Sequence, residues 1–333
     1  MKDLVYKILQ SKQRIALPFI THPGIEDIGK HVVDAVTDGE VHFQAIKAVA
    51  DKYKSAAATV IMDLTVEAEA FGSSIAFPEN ELPNILGHLL DDCPSSVEAL
   101  SVPEITSGRV PEYLKANELA VRNITDRPVL AGCIGPFSLA GRLYGMSEIM
   151  VAIYLFPETI HLLLDKCTTF ILNYCSKLKE LGVEGVIMAE PAAGLLSNED
   201  CLSFSTVYVR RVVEELQDDS FGIVLHNCGN KGQCTQAMVD SGAVGLHFGN
   251  AINMLDALEA CPVDRLVMGN LDPVGIFQQA TAGDVYDAAM ELLKETGKYK
   301  NFVISSGCDI PPCTPVANLE AFFSAIDDYN ACR

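Results

Sequence analysis

The chain has 333 residues, of which 49% are hydrophobic, and a formal net charge of −20. That apolar fraction excludes a disordered protein and is enough to bury a large core. A surface this acidic repels phosphate backbones and anionic lipid heads, so nucleic acid and membrane are poor partners; the charge keeps the protein soluble or docks it to a basic face.

The opening residues Met1–Leu4 lead into an amphipathic segment, not the apolar run of a signal peptide. No stretch reaches the roughly 18 uninterrupted apolar residues that a membrane span needs. The expectation is therefore a cytoplasmic protein whose 11 cysteines are reduced. Most of them read as small buried hydrophobes, and a few as metal ligands.

Taken in chain order, eight short apolar runs read as strands: Ile15–Ile20, Thr59–Leu64, Pro128–Cys133, Gly185–Ala189, Gly222–His226, Ala243–Phe248, Arg265–Gly269 and Phe302–Ser306. Several are almost continuously hydrophobic, as strands buried on both faces are. Helical patterns lie between them, at Asp200–Leu216, after the capping Asn253, and at Val285–Thr296, which stops at Gly297. Strands alternating with helices predict a parallel sheet. Eight of them predict an α/β protein with one (β/α)8 TIM-barrel domain over residues 1–333, carrying an N-terminal extension. An open doubly wound sheet is disfavoured, because no strand is followed by G-x-G-x-x-G. Phe71–Asn123 reads as a helical insertion near the barrel mouth.

The C-terminal ends of barrel strands form the active-site face. Those ends carry His22, Asp63, Cys133, Glu190, His226 with Cys228, His247, Asn270 with Asp272, and Cys308 with Asp309. His226 and Cys228 are two apart, so in a strand they point to one side. Gly229 then permits a sharp turn. Cys308 at the last strand exit supplies a distant third ligand, with Cys313 beyond Pro311-Pro312 as its rival. Imidazole plus thiolates with one open position is the pattern of catalytic zinc. A packed His–Cys pair without metal is the plainer reading of that motif alone. Glu190 reads as a catalytic carboxylate or an ion-pair partner. Asp63 reads as a catalytic or supporting carboxylate, or as a turn cap. His247 sits between Leu246 and Phe248 and reads as substrate-binding or as a buried histidine. His22 and Asn270 read as substrate-binding.

At these residues the chain resembles the uroporphyrinogen decarboxylase superfamily, and more narrowly its methylcobalamin:coenzyme M methyltransferase branch. The matching stretches are Asp63–Phe77, Gly132–Gly141, Glu190–Ser197, Leu225–Asn230 and Ser306–Pro315, within a resemblance that runs from Arg14 to Tyr329. It implies a (β/α)8 barrel and a zinc ion held by His226, Cys228 and Cys308. The decarboxylase branch holds its tetrapyrrole with arginines near the first strand. Here Thr21–Glu26 contains none, although Asp63 matches that branch's pyrrole-binding aspartate. The resemblance thus implies methyl transfer from a methylcorrinoid to a small-molecule thiol such as coenzyme M. The thiolate would attack the methyl group on Co(III) and leave Co(I). The chain lacks D-x-H-x-x-G, so the donor is expected on a separate corrinoid protein or as free methylcobalamin. Arg142 and Lys231 are the candidates to hold a sulfonate. The reverse direction, loading a corrinoid protein from a methylated substrate, and a non-catalytic tetrapyrrole or corrinoid binder are the alternatives. A homodimer is the candidate assembly.

Overall fold

The computed structural model describes residues 1–91 and 93–332. Seven parallel strands form one curled sheet: β1 (Ala58–Thr59), β4 (Val129–Ile134), β5 (Gly185–Ala189), β6 (Gly222–Asn227), β7 (Gly245–Phe248), β8 (Leu266–Leu271) and β9 (Phe302–Ser306). Two further strands, β2 (Ile75–Ala76) and β3 (Asn84–Ile85), make a separate antiparallel hairpin. The six strands β4–β9 without that hairpin, counted from Val129 onward, fall where the apolar runs placed them.

The first two expected strands are corrected. Ile15–Ile20 makes only one isolated bridge, Ala16 to Ile304, rather than a ladder. Pro18 has no N–H to continue the pairing. Past it, the Phe19 N–H donates instead to Ser306 Oγ at 3.1 Å. On its other side the segment receives the Ala56 N–H at the Ala16 carbonyl (2.8 Å). It thus runs between β9 and the approach to β1 without being a regular eighth strand. Thr59–Leu64 is a strand only to Thr59. There the Ile61 N–H donates to Nε2 of His42, which takes the place of a neighbouring strand's carbonyl. Burial pushes the His42 pKa down to about 3, so the ring is neutral and can accept.

Alternation along each strand sorts the core into two parts. Leu130, Ile187, Val224, Met268 and Val303 face the sheet's interior. Ala131, Val186, Ile223, Leu246 and Ile304 face the surrounding helices. Helix Lys2–Gln10 buries Leu4 and Ile8 against the interior set, which closes the N-terminal end of the sheet.

The helices follow their sequence signals with adjustments. Asn253 caps its helix by accepting from the Leu255 and Asp256 N–H groups. The expected Val285–Thr296 helix begins earlier, at Ala282, because Thr281 and Asp284 form a reciprocal capping box. Asp200–Leu216 is helical throughout but contains a π turn at Leu202–Thr206. Among the described residues of Phe71–Asn123, those that reach the cavity at the strand exits are Leu82, Pro83 and Asn84, at the hairpin end. The later helix, Val110–Asn123, packs outside the sheet against helix Gly39–Lys52 and β4. Among the described residues, no helix is long and apolar enough to cross a membrane.

Candidate metal centre

Strand parity and register build the site. His226 shares the inward parity of Val224 on β6, and Cys228 follows two residues later as the chain leaves the strand. Cys308 arrives from the exit of β9. The imidazole and the two sulfurs lie within 4.8 Å of one another. Cys308 Sγ is 3.7 Å from His226 Nε2. Tetrahedral zinc, with bonds of about 2.3 Å to sulfur and about 2.0–2.1 Å to nitrogen, would set those two atoms about 3.6 Å apart. The donor set therefore fits such an ion. Cys313 is exposed and outside the cluster.

His226 pairs with His247 in register, both facing inward. Their Nδ1 atoms are 2.8 Å apart, and His247 Nε2 is 2.9 Å from Ser305 Oγ. The Ser305 hydroxyl donates to the Leu17 carbonyl at 2.7 Å, so its oxygen is left to accept from His247 Nε2–H. Burial, and then His226, hold His247 well below the ordinary histidine pKa, so it is neutral and its Nδ1 accepts from His226 Nδ1–H. This chain fixes the His226 tautomer with the Nε2 lone pair toward the two cysteines, the role a supporting hydrogen bond plays behind metal-ligating histidines. Phe19 stacks on His247 with centroids 4.3 Å apart and meets His226 edge-on at 5.6 Å.

The two thiols are electrostatically coupled. The hydrogen bond to Cys308 draws the Cys228 pKa down, while Cys308 is pushed up to about 12 by the same contact and by burial. A divalent cation bound between them would displace the thiol protons.

Close backbone contacts hold the loops. A Cβ on Gly249 would lie 2.7 Å from Cys228 Cα, so the loop after β7 packs directly on that cysteine. Gly229 serves close approach and not a left-handed turn: a Cβ there would lie 2.5 Å from the Pro191 carbonyl oxygen, and Gly229 is not among the glycines with positive φ.

The cluster opens onto a cavity of about 250 Å³. Its walls include Phe19, Met62, Leu64, Leu82 and Pro83, with Arg142 and Asp309 as its charged residues. Arg142 lies on helix Pro136–Tyr144 and has no hydrogen-bond or ion-pair partner among the described residues. Burial lowers its pKa against the pull of Asp63 and Glu67. Asp309 faces His22 Nε2 at 3.5 Å, and neither carboxylate oxygen completes a hydrogen bond. Burial raises its pKa to about 6, opposed by His22.

Residues 20–329 match the uroporphyrinogen decarboxylase (URO-D) family description. The chain belongs to that family. Within the URO-D family it is similar to a methylcobamide:CoM methyltransferase of Methanosarcina acetivorans, 26% identical over 98% of each chain. It is also 25% identical to a methylated-thiol–coenzyme M methyltransferase of Methanosarcina mazei, over 79% of this chain and 70% of that one. A solved structure described as a methyltransferase from Methanosarcina mazei matches 98% of the chain with a TM-score of 0.88 and 23% identity, a likeness of fold.

The other expected site residues of this URO-D chain are not among the residues that line the cavity. Glu190 is buried and accepts from the Phe137 and Ser138 N–H groups (both 2.8 Å) and from Ser205 Oγ (2.9 Å) on the π turn. It anchors the N-terminus of the helix that carries Arg142. Burial raises its pKa against those donors. Asp63 accepts from Thr65 N–H and Oγ1 on one oxygen, and from Arg109 (2.6 Å) and Tyr113 (3.0 Å) on the other. Asn270 donates its amide hydrogens to the Gly249 and Ile252 carbonyls. Cys133 faces outward, 3.8 Å from Cys175. Lys231 is exposed.

Sequence reasoning missed Phe19, Ser305, Arg109 and Glu67. Glu67 is buried, with Oε1 accepting from the Ile134 N–H and Oε2 unpartnered, beside a void of about 10 Å³. That is room for about one water. Burial pushes its pKa up to about 7. The signal available was a glutamate amid the apolar positions of Val66–Ala70.

Proposed function

We propose that this chain is a zinc-dependent methyltransferase that moves a methyl group from a methylated corrinoid to a small-molecule thiol. The observation that carries the reading is the meeting of His226, Cys228 and Cys308 at the wall of a cavity with an open side. The similarity to corrinoid-using methyltransferases supports it. Bound there, zinc would lower the pKa of an incoming thiol and leave it nucleophilic, since two cysteine thiolates already neutralise the ion. In the transfer this reading implies, the sulfur, its proton released, would bond to the methyl carbon as the methyl group's bond to the corrinoid breaks, with the bonding electrons left on the corrinoid.

The chain's own residues bind and orient. His247 and Ser305 hold the His226 tautomer. Arg142 receives the anionic end of the thiol. Glu190 and Asp63, whose carboxylates are engaged inside the protein, position the helix of Arg142 and the turn of Thr65. His22 acts through Asp309, and Asn270 through the loop that packs on Cys228. The donor, carried on a separate corrinoid protein or as free methylcobalamin, approaches from the cavity mouth.

Mass spectrometry of the metal in wild type, Cys308→Ala and Cys313→Ala tests the centre. The expected result is about one zinc per chain in the wild type and in Cys313→Ala, with marked loss in Cys308→Ala. Demethylation of methylcobalamin, followed by absorbance with a panel of thiols, tests the reaction. A wild-type protein that neither holds nor takes up zinc removes this reading.

A further inference from the structure

The cavity beside the cluster contains opposite charges that do not meet. Arg142 has no hydrogen-bond or ion-pair partner among the described residues. Asp309 lines the same cavity, with both oxygens buried and neither completing a hydrogen bond; His22 Nε2 is 3.5 Å from one of them, and the Met62 and Ile310 backbone groups lie beside the carboxylate. A buried guanidinium and a buried carboxylate that do not pair with each other are costly, and the more distant Asp63 and Glu67 for the one and His22 for the other offset only part of that cost. The walls outside the metal cluster carry no other charge: Thr65 and Asn84 are neutral polar groups, and the rest are apolar.

We infer that the thiol taken by this site is zwitterionic, an α-amino acid thiol of the homocysteine type. This inference rests on the thiol-methyltransferase reading and specifies its acceptor. The three demands of the cavity are met by one small molecule. A thiol goes to the open position of the metal that His226, Cys228 and Cys308 would hold, a carboxylate to Arg142, and an ammonium to Asp309, beside His22. The intervening methylenes lie against the apolar walls. A thiol that ends in a sulfonate or carboxylate but has no ammonium answers Arg142 alone and leaves Asp309 without a donor. It also adds a negative charge to a cavity that already holds one. A cavity of about 250 Å³ suits a molecule of this size better than a drug-sized ligand, whose pockets begin at about 300 Å³.

The test is isothermal titration calorimetry of the zinc-loaded protein with four thiols: L-homocysteine, 2-mercaptoethanesulfonate, 3-mercaptopropionate and 2-mercaptoethylamine. These carry both charges, an anion only, an anion only and a cation only. The expected result is that homocysteine binds at least tenfold more tightly than each of the others. In Asp309→Asn its advantage over 2-mercaptoethanesulfonate should fall to within about threefold, and Arg142→Gln should weaken homocysteine and both anionic thiols together. The wild-type comparison needs no variant to fold. If 2-mercaptoethanesulfonate binds as tightly as homocysteine, or if a folded Asp309→Asn keeps the full advantage, the zwitterion assignment is overturned while the methyltransferase reading stands. If none of the four binds the zinc-loaded protein, both fall together.

Discussion

At the scale of single residues, the site depends on side chains that touch no substrate. His247 decides which nitrogen of His226 carries the proton, and Ser305 decides it for His247. His247→Ala is expected to lower zinc affinity about 10–100-fold while Cys228 and Cys308 remain, as measured by competition with a chromophoric chelator. Glu67 makes a separate prediction about pH. Its pKa is pushed up to about 7 from 4.5, so the folded state holds a proton that the unfolded state has released. That contribution is fully present below about pH 4.5 and is lost as pH rises through about 7, a change of about 3 kcal/mol. Glu67→Gln keeps an acceptor for the Ile134 N–H and removes the ionisation. Its urea stability should lack this fall, so the variant gains on the wild type from pH 5 to pH 8. Equal pH profiles for the two proteins would refute the assignment.

At the scale of elements, helix Pro136–Tyr144 is held at its N-terminus by Glu190 and brings Arg142 to the cavity near its C-terminal end. The carboxylate takes two otherwise free helix N–H groups, and the helix dipole favours it there. Glu190→Ala leaves the Phe137 and Ser138 N–H groups and the Ser205 hydroxyl without their acceptor, and should cost about 2–4 kcal/mol in denaturant unfolding. The thiol's dissociation constant should rise in the same variant, because Arg142 loses its fixed position, while zinc content is unchanged. Gly135 belongs to this element boundary, since a Cβ there would lie 2.4 Å from Glu190 Oε2. The strand pattern made β4–β9 readable, because buried parallel strands are continuous apolar runs. It could not show that Pro18 would interrupt Ile15–Ile20, or that His42, distant in sequence, would take the Ile61 N–H and end β1. The cap of helix Ala282–Glu295 was readable in principle, from Thr281 three residues before Asp284.

At the scale of the whole molecule, the ends of the sheet carry different tasks. The N-terminal end is closed by helix Lys2–Gln10, with Leu4 and Ile8 set into the interior core. Leu4→Ala should destabilise the protein by about 2–5 kcal/mol without changing zinc content, since the cavity it leaves lies at the end opposite the metal ligands. The C-terminal end joins His226, Cys228 and Cys308 from the exits of β6 and β9, which no local segment could assemble. A metal that binds only the folded arrangement stabilises it by mass action, about 2.7 kcal/mol at a free concentration 100 times its dissociation constant. Stripping zinc with a chelator should therefore lower the thermal midpoint, and re-addition should restore it. An unchanged midpoint would mean that the ligands are not bridged.

The sequence by itself determined the strand-and-helix alternation, the inward pairing of His226 with Cys228, and the placement of Cys308 at a strand exit. Each follows from local periodicity, which is written in neighbouring residues. Only the tertiary structure decided what stands behind and beside them. Register brought His247 against His226, the segment beside β9 set Phe19 over His247 and edge-on to His226, and Glu190 and Asp63 were drawn into helix and turn anchoring. Arg142 and Asp309, 167 residues apart in the chain, came to line one cavity without pairing with each other. Such relations depend on inter-strand register and on which buried donors remain free after packing, and these are properties of the assembled chain, not of any stretch of it.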